Sequence, residues 1–241
     1  MPKGRFWGIG VGPGDPELLT IKAKRVLEEI DILFIPRSRS EKRSLAFSIV
    51  RQLVDKEWDT VDLLLPMTRD QAELARHWRE AALQVVAKLD EGKDAAFITL
   101  GDPTLYSTFT YLMKEVRELD PEVGVEIIPG ISSVNAISAW IQQPLVENQE
   151  SLLILPAEEK LDQLGSHLEN CENIVVMKAG RYIGQINRLL ESQPVPRQAF
   201  LVSRCGFADG TCTDDLASQA GLEADYLSSV LIKKKTKGAG R

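Results

Sequence analysis

Short apolar segments alternate with helix-length amphipathic segments through the first half of the chain, and this alternation is the strongest constraint on its fold. The pattern predicts strands at FWGIGV, DILFIP, TVDLLLP, AAFITL and GVEIIPG. Each is followed by an expected helix, at 16–29, 44–54, 70–89, 104–119 and 132–141. Strands joined by helices favour a mainly parallel sheet that is covered on both faces.

A polar segment with a proline, QQPLVENQE at 142–150, interrupts this alternation and predicts a linker. Beyond it we expect strands at SLLILP, NIVVMKAG, AFLVSRCG and LSSVLIKK, and helices near 158–168 and 183–190. CGFADGTCT contains Asp-Gly and predicts a hairpin turn, with no helix of crossover length before the last strand. The sequence therefore predicts two α/β domains, 1–142 with a mainly parallel sheet and 143–241 with a mixed sheet.

Composition narrows the functional classes. The 241 residues carry a net charge of −6, which disfavours general affinity for nucleic acid. No apolar run is long enough to span a bilayer, and no signal-peptide core follows the first residues, so we expect no membrane partner. Three cysteines without a CxxC pair predict a reduced, cytoplasmic protein. The two histidines lack the spacing of metal ligands, so no metal site is predicted.

Three loops at expected strand ends are the candidate site, because ligands of open α/β sheets bind at the carboxyl ends of strands. They are GVGPGDP, LGDPTLY and PGISS. A purely structural interpretation is available for each loop. Asp15 and Asp102 would cap helices that begin with proline, and Ser132 or Ser133 would cap the third helix.

These loops do not match the common phosphate-binding patterns. GxxxxGK[ST] is absent, and GxGxxG fails because its last glycine is replaced by Pro13 or Asp15. The acidic residue expected after the second strand for a ribose is also absent, since Pro36 and Arg37 stand there. Glycine-rich, acidic loops instead favour a neutral or cationic ligand approached closely by backbone. An NAD-dependent oxidoreductase is thereby disfavoured, and a non-catalytic binding module remains a weaker alternative.

The segments VGPGDPELLT, LGDPTLYSTF and PGISS, in this order and at this spacing, resemble the tetrapyrrole (corrin/porphyrin) methylases. The resemblance covers nearly the whole chain. It implies two α/β domains with S-adenosylmethionine in the cleft between them and S-adenosylhomocysteine as product. It also implies a homodimer, for which Trp58, Trp78 and Trp140 are candidate interface residues. Two Gly-Asp-Pro loops then belong to one site whose ligand carries a sulfonium cation.

Within this family, LFIPRSRSEKRSLAFSIV and LPMTRDQAELARHW look most like members that methylate C-20 of precorrin-2 or cobalt-factor II in cobalamin biosynthesis. Methylation at another ring position and diphthine synthesis on a protein remain alternatives. The methyl donor is already activated. The implied chemistry therefore needs no nucleophilic side chain or metal, and the sequence has no triad or histidine dyad.

The resemblance also implies which residues form the site. Cofactor-binding residues would be Pro13 (which also borders the substrate side), Leu100, Gly101, Asp102, Tyr106, Ser132, Ser133, Met177, Lys178, Ala179 and Cys205. Gly12, Gly14, Arg37 and Arg39 would contact the substrate, the arginines by pairing with its carboxylates. Tyr226 is the candidate catalytic group, as hydrogen-bond donor or base near the methylated carbon. Two departures from the family pattern are Tyr-Leu-Ser for Tyr-Phe-Ser at 226–228 and Met-Lys-Ala-Gly for Tyr-Met-Gly at 177–180.

Overall fold

The computed structural model describes residues 2–37, 44–66, 68, 70–219, 221–222 and 224–234. It divides into two compact units, Met1–Ser132 and Ser133–Arg241. The sequence predicts a domain boundary after residue 142, whereas these two units divide before Ser133. The helix between the two positions, α5 (Ser133–Trp140), packs against the last described strand of the second unit. That helix therefore groups with the second unit.

The first unit holds a five-stranded sheet in which every pairing is parallel, as predicted. Its strands are β1 (Phe6–Gly10), β2 (Ile32–Arg37), β3 (Asp59–Leu64), β4 (Ala95–Thr99) and β5 (Val125–Ile128). They lie in the order β3-β2-β4-β1-β5. Because parallel strands share a direction, the carboxyl ends of β4, β1 and β5 are neighbours at one edge of the sheet.

The described residues of this unit also form α-helices α1 (Ile21–Glu29), α2 (Leu45–Leu53), α3 (Gln71–Asp90) and α4 (Phe109–Leu119). Asp70 caps α3 by accepting hydrogen bonds from the amides of Ala72 and Glu73. The core is aromatic at its centre, where Phe6, Phe97 and Phe109 are fully buried and pack ring against ring. This core fixes the strands whose ends carry the candidate loops.

The second unit holds a mixed sheet, also as predicted. Its strands are β6 (Leu152–Pro156), β7 (Asn173–Met177), β8 (Arg197–Ser203), β9 (Thr211–Thr213) and β10 (Ser228–Lys234). They lie in the order β6-β7-β10-β8-β9, with β6 parallel to β7 and all other pairings antiparallel. The helices besides α5 are α6 (Ala157–Lys160), α7 (Leu164–Asn170), α8 (Ile183–Glu191) and α9 (Leu216–Gln219). The β8–β9 pairing confirms the hairpin predicted from Asp-Gly.

The single helix predicted over 16–29 is wrong, because two caps divide it. Asp15 accepts a hydrogen bond from the Glu17 amide and starts only a 3-10 turn, Pro16–Leu18. Thr20 then leaves helical geometry, and its hydroxyl caps α1. Ile21, the first residue of α1, is 89% exposed as a result.

The single helix predicted over 158–168 is also wrong. Its backbone leaves the α-helical region at Lys160, and a 3-10 turn, Leu161–Gln163, separates α6 from α7. Among the helices of the described residues, none is long and apolar enough to cross a membrane.

One expected interface residue does not reach the surface. Trp58 is 8% exposed, and its indole nitrogen donates to the carbonyl of Leu27, 2.7 Å away, at the end of α1. Trp78 stacks on Tyr111 with ring centroids 4.5 Å apart, and Trp140 remains 40% exposed. Trp58 therefore stabilises the first unit and offers no area to a partner.

Candidate functional site

The first two predicted loops are joined directly by backbone hydrogen bonds. Gly12, after β1, and Gly101, after β4, form an antiparallel bridge, with N···O distances of 3.3 and 2.8 Å. Both glycines have positive φ, +81° and +67°, which strains a residue that has a Cβ. The repeated glycines are therefore needed to turn both strand ends toward each other.

The third loop packs against the other two without room for side chains. A Cβ built on Gly10 would lie 2.5 Å from the carbonyl oxygen of Gly101 and 2.7 Å from the amide nitrogen of Gly130. A Cβ on Gly130 would lie 2.8 Å from the carbonyl carbon of Gly10 and closer still to the Gly101 oxygen. The three loops that the sequence singled out thus meet at one edge of the sheet.

Asp102 does not cap a helix, so that part of the prediction is wrong. Its Oδ1 accepts a hydrogen bond from the Thr104 amide at 2.8 Å and also contacts the Thr104 hydroxyl. Its Oδ2 accepts from the Gly130 amide at 3.0 Å, 28 residues along the chain. The α4 helix begins only at Phe109. The carboxylate therefore ties the second loop to the third.

The segment between Asp102 and α4 contains a polar contact that the sequence analysis missed. Tyr106 has φ of +50° and is 46% exposed. The next residue, Ser107, is buried; its hydroxyl lies 3.0 Å from that of Thr99 and accepts from the Phe109 amide. A serine two residues before a helix is a recognisable capping signal. This contact holds the strained Tyr106 turn against the end of β4.

The remaining predicted residues of the first 133 positions are placed as follows. Pro13 and Gly14 are buried in the first loop, and Leu100 is half-buried between β4 and Gly101. Ser132 directly precedes α5, and Ser133 is its first residue. These placements fit residues at or beside the loop cluster.

Of the two arginines predicted to contact the substrate, the structure describes one. Arg37 ends β2, and its Nε lies 3.1 Å from Oδ1 of Asp62 on β3, so its charge is already paired. In the strand order, β4 separates β2 from β1. Arg39 lies outside the described residues.

In the second unit, the structure brings together the predicted residues of β7, β8 and β10. The Ala179 amide, after β7, donates to the Ser228 carbonyl at 2.8 Å, and the Arg204 amide, after β8, donates to the Leu227 carbonyl at 3.0 Å. Met177 ends β7, Cys205 follows β8 and Tyr226 precedes β10. These four predicted residues, and Lys178 between Met177 and Ala179, therefore lie along one edge of the mixed sheet.

Arg204, which the sequence analysis did not select, holds this edge in shape. Its Nε lies 2.8 Å from Oδ2 of Asp209, and Nη1 lies 3.3 Å from Oδ2 of Asp225. The hydrogen bond to Asp209 holds the pKa of Arg204 above its ordinary value and that of Asp209 below. Arg204 has φ of +51°, so the ion pairs fasten a strained turn. No sequence motif signalled this role, because the two carboxylates belong to separate loops.

The chemistry open to Cys205 is limited by its surroundings. Its side chain is buried, and desolvation raises the pKa of the thiol to about 11. A thiol with that pKa stays protonated near neutral pH and is a poor nucleophile. Among the described residues, no group of three or more histidine, cysteine, aspartate and glutamate side chains is arranged to hold a metal ion. The edges described above therefore offer backbone groups and close-packed turns rather than a nucleophile.

The first unit is a parallel sheet with close-packed glycine loops at its carboxyl edge, and the second unit is built on a mixed sheet. This architecture defines a two-unit α/β protein suited to bind a small molecule at strand ends. The chain belongs to the tetrapyrrole (corrin/porphyrin) methylase family, whose model matches residues 5–220. This match confirms the family expected from the three loop motifs.

Two relatives and one solved structure are similar over almost their whole length. The chain is 37% identical over 232 residues to the probable cobalt-precorrin-2 C(20)-methyltransferase of Methanocaldococcus jannaschii, covering 95% of this chain and 96% of that one. It is 32% identical over 239 residues to the precorrin-2 C(20)-methyltransferase of a Sinorhizobium species, covering 95% of both. Uroporphyrin-III C-methyltransferase from Thermus thermophilus, complexed with S-adenyl homocysteine, has a TM-score of 0.65 at 21% identity and covers 95% and 97%. That last likeness supports the fold.

Proposed function

We propose that this protein is an S-adenosylmethionine-dependent methyltransferase that methylates C-20 of precorrin-2 or of its cobalt form in cobalamin biosynthesis. The observation that carries the proposal is full-length similarity at 37% and 32% identity to two relatives that are both named for this position. The two names differ only in whether the substrate carries cobalt. The ring position is therefore supported twice, and the metal state of the substrate is a question for experiment.

The first-unit loops fit a cofactor that is approached by backbone. A Cβ at Gly10 or Gly130 would overlap the neighbouring loop, so only backbone fits where the three loops meet. The Asp102 carboxylate is occupied by three hydrogen-bond donors from the loops themselves, which leaves it a structural role. We assign Leu100, Gly101, Asp102 and Tyr106 to the methionine end of the cofactor and Ser132 and Ser133 beside them.

We assign Met177 and Ala179 on the second unit to the adenosine, with the Cys205 backbone nearby. When bound, S-adenosylmethionine supplies an electrophilic methyl group, so the protein need only position the acceptor and exclude water. Gly12, Pro13 and Gly14 border the substrate in this assignment. The turns at Tyr106 and Arg204 are strained and held by hydrogen bonds and ion pairs, which keeps both edges rigid before any ligand arrives.

Carbon methylation leaves a proton to be removed from the acceptor carbon. We propose Tyr226 as the polar group nearest that proton, because it is 47% exposed at the edge that holds the other predicted second-unit residues. Its neighbour Asp225 is held by Arg204, and the Leu227 amide donates to Asp225 Oδ1 at 2.7 Å. These contacts fix the backbone on both sides of the tyrosine.

Two further parts of the proposal concern assembly and location. Homodimer formation is carried over from the family resemblance. A cytoplasmic location is supported by three cysteines that are all free thiols.

The decisive experiment combines binding with product mass. Purified protein is titrated with S-adenosylhomocysteine by calorimetry. It is then incubated with S-adenosylmethionine and either metal-free precorrin-2 or cobalt-factor II, with the donor omitted as the control. We expect saturable binding and a gain of one methyl on one substrate, which assigns the cobalt-dependent or the metal-free route. Cofactor binding with no methylated product from either substrate would refute the C-20 assignment, and absence of cofactor binding would refute the whole proposal.

A further inference from the structure

Lys178 occupies a backbone position that a lysine rarely adopts. It follows β7 with φ of +56°, in the left-handed region where residues other than glycine cost of order 1 kcal/mol. The strained backbone is fixed on one side by the Ala179 amide, which donates a hydrogen bond to the Ser228 carbonyl at 2.8 Å. It is also held by Gly180, where a Cβ would lie 2.5 Å from the carbonyl oxygen of Ala224. The direction of the Lys178 side chain is therefore set by its surroundings.

The ammonium group of Lys178 lies over an aromatic ring. Its Nζ is 5.6 Å from the centroid of the Tyr226 ring, within the range of a cation–π interaction. In the part of the chain that the structure describes, no carboxylate forms an ion pair with it. The nearest acidic residue in sequence to that ring, Asp225, already pairs with Arg204 and accepts from the Leu227 amide. The ammonium group of Lys178 therefore contacts the face of the Tyr226 ring, and its N–H groups remain able to donate hydrogen bonds to a ligand.

We propose that Lys178, held over Tyr226, binds a carboxylate of the tetrapyrrole substrate. The inference rests on the proposed function, because precorrin-2 and cobalt-factor II carry eight carboxylates. It replaces the adenosine contact expected for Lys178 from the family resemblance. Adenosine is uncharged near neutral pH and offers an ammonium group no ionic partner, whereas a carboxylate forms a charge-assisted hydrogen bond with it.

The test uses two substitutions at Lys178 and one matched control. Lys178→Asn removes the charge and suits positive φ, because asparagine is enriched in left-handed backbone. Lys178→Arg keeps the charge. Lys93→Asn removes a lysine that forms no ion pair with any described residue and lies two positions before β4, at the opposite edge of the first sheet. Each protein is saturated with S-adenosylhomocysteine, whose affinity is measured by calorimetry, and is then titrated with cobalt-factor II by tryptophan fluorescence quenching.

We expect Lys178→Asn to weaken cobalt-factor II binding by about tenfold, the loss of one charge-assisted hydrogen bond, with S-adenosylhomocysteine affinity unchanged. Lys178→Arg should stay within about threefold of wild type, and Lys93→Asn within about twofold. The difference between wild type and Lys178→Asn should shrink at high salt, because screening weakens exposed charge pairs.

Two results would overturn the inference while leaving the proposed function intact. One is unchanged cobalt-factor II affinity in Lys178→Asn. The other is a loss of S-adenosylhomocysteine affinity in that variant without loss of cobalt-factor II affinity, which would return Lys178 to the adenosine side. Wild-type protein that binds S-adenosylhomocysteine but no cobalt-factor II would instead refute the proposed substrate and this inference with it. Thermal unfolding followed by circular dichroism shows whether each variant is folded.

Discussion

Replacing Asp102 with asparagine should loosen the junction of the three first-unit loops. The carboxylate accepts from the Gly130 amide through Oδ2 at 3.0 Å and from the Thr104 amide through Oδ1 at 2.8 Å. Asparagine keeps one oxygen and replaces the other with an NH₂ group. Only one of the two amides can then be satisfied, and the Thr104 contact is local. We expect the long-range bond to Gly130 to be lost.

The expected loss of stability follows from the hydrogen bond that the Gly130 amide loses. A buried donor left without a partner costs about 1–3 kcal/mol, and the lower half of that range applies because this contact is partly buried. We therefore expect Asp102→Asn to lower the free energy of unfolding of the first unit by about 1–2 kcal/mol. If the junction binds the cofactor as proposed, affinity for S-adenosylhomocysteine should fall by up to about tenfold as well.

Urea unfolding followed by tryptophan fluorescence suits this measurement, because Trp7, Trp58 and Trp78 all lie in the first unit and only Trp140 lies in the second. Asp15→Asn is the matched control from the other Gly-Asp-Pro loop. Among the described residues, Asp15 accepts a local bond from the Glu17 amide and no long-range one. Asparagine caps as well as aspartate, so we expect a change below about 0.5 kcal/mol. If Asp102→Asn is as stable as wild type, or if both variants lose the same free energy of unfolding, the Asp102–Gly130 hydrogen bond does not stabilise the loop junction.

Three further outcomes are expected. Gly130→Ala should destabilise the first unit by about 2 kcal/mol or more in the same urea assay, because its Cβ would overlap the backbone of Gly10; wild-type stability would contradict the packing described. Hydrogen bonds from the Ser151 hydroxyl and amide lower the pKa of Glu172 from 4.5 to about 2. The stability that ionised Glu172 contributes is therefore present above pH 4.5 and lost as pH falls toward 2. Glu172→Gln should flatten the stability–pH curve between these values. An unchanged curve in that range would exclude the bonds between Ser151 and Glu172. Tyr226→Phe should lower kcat by about a hundredfold with little change in KM, and unchanged turnover would remove Tyr226 from the chemistry.

The strands of both sheets and the meeting of the three candidate loops could be predicted from the sequence. Strands β1, β2 and β4 of the first sheet are almost entirely buried, so they stand out as apolar runs between turn residues. The glycine loops were identifiable because close backbone contact leaves glycine as the residue that fits. Their convergence follows from parallel strand direction, which the alternation of strands and helices already implied.

Roles that depend on distant partners could not be read from the sequence. The two Gly-Asp-Pro tripeptides are identical, yet Asp15 caps a local turn while Asp102 reaches Gly130. Local pattern cannot separate them, because the difference lies in which loop is adjacent in the sheet. Arg204 was missed for the same reason, since it pairs with Asp209 and Asp225 across two loops. The division of the 16–29 helix was a local signal, a threonine cap at Thr20, that the apolar periodicity concealed.

The position of β10 has a consequence for how the protein is made. β10 is the last described strand in the chain, yet it lies in the middle of its sheet, between β7 and β8. During synthesis, every strand of the first sheet has emerged once residue 128 is free of the ribosome, so that unit is able to fold early. Until residues 228–234 follow, β7 and β8 lack the strand that pairs with both of them, so one edge of each has no partner. A nascent chain halted before residue 228 would therefore carry a folded first unit and two unpaired edges prone to aggregation.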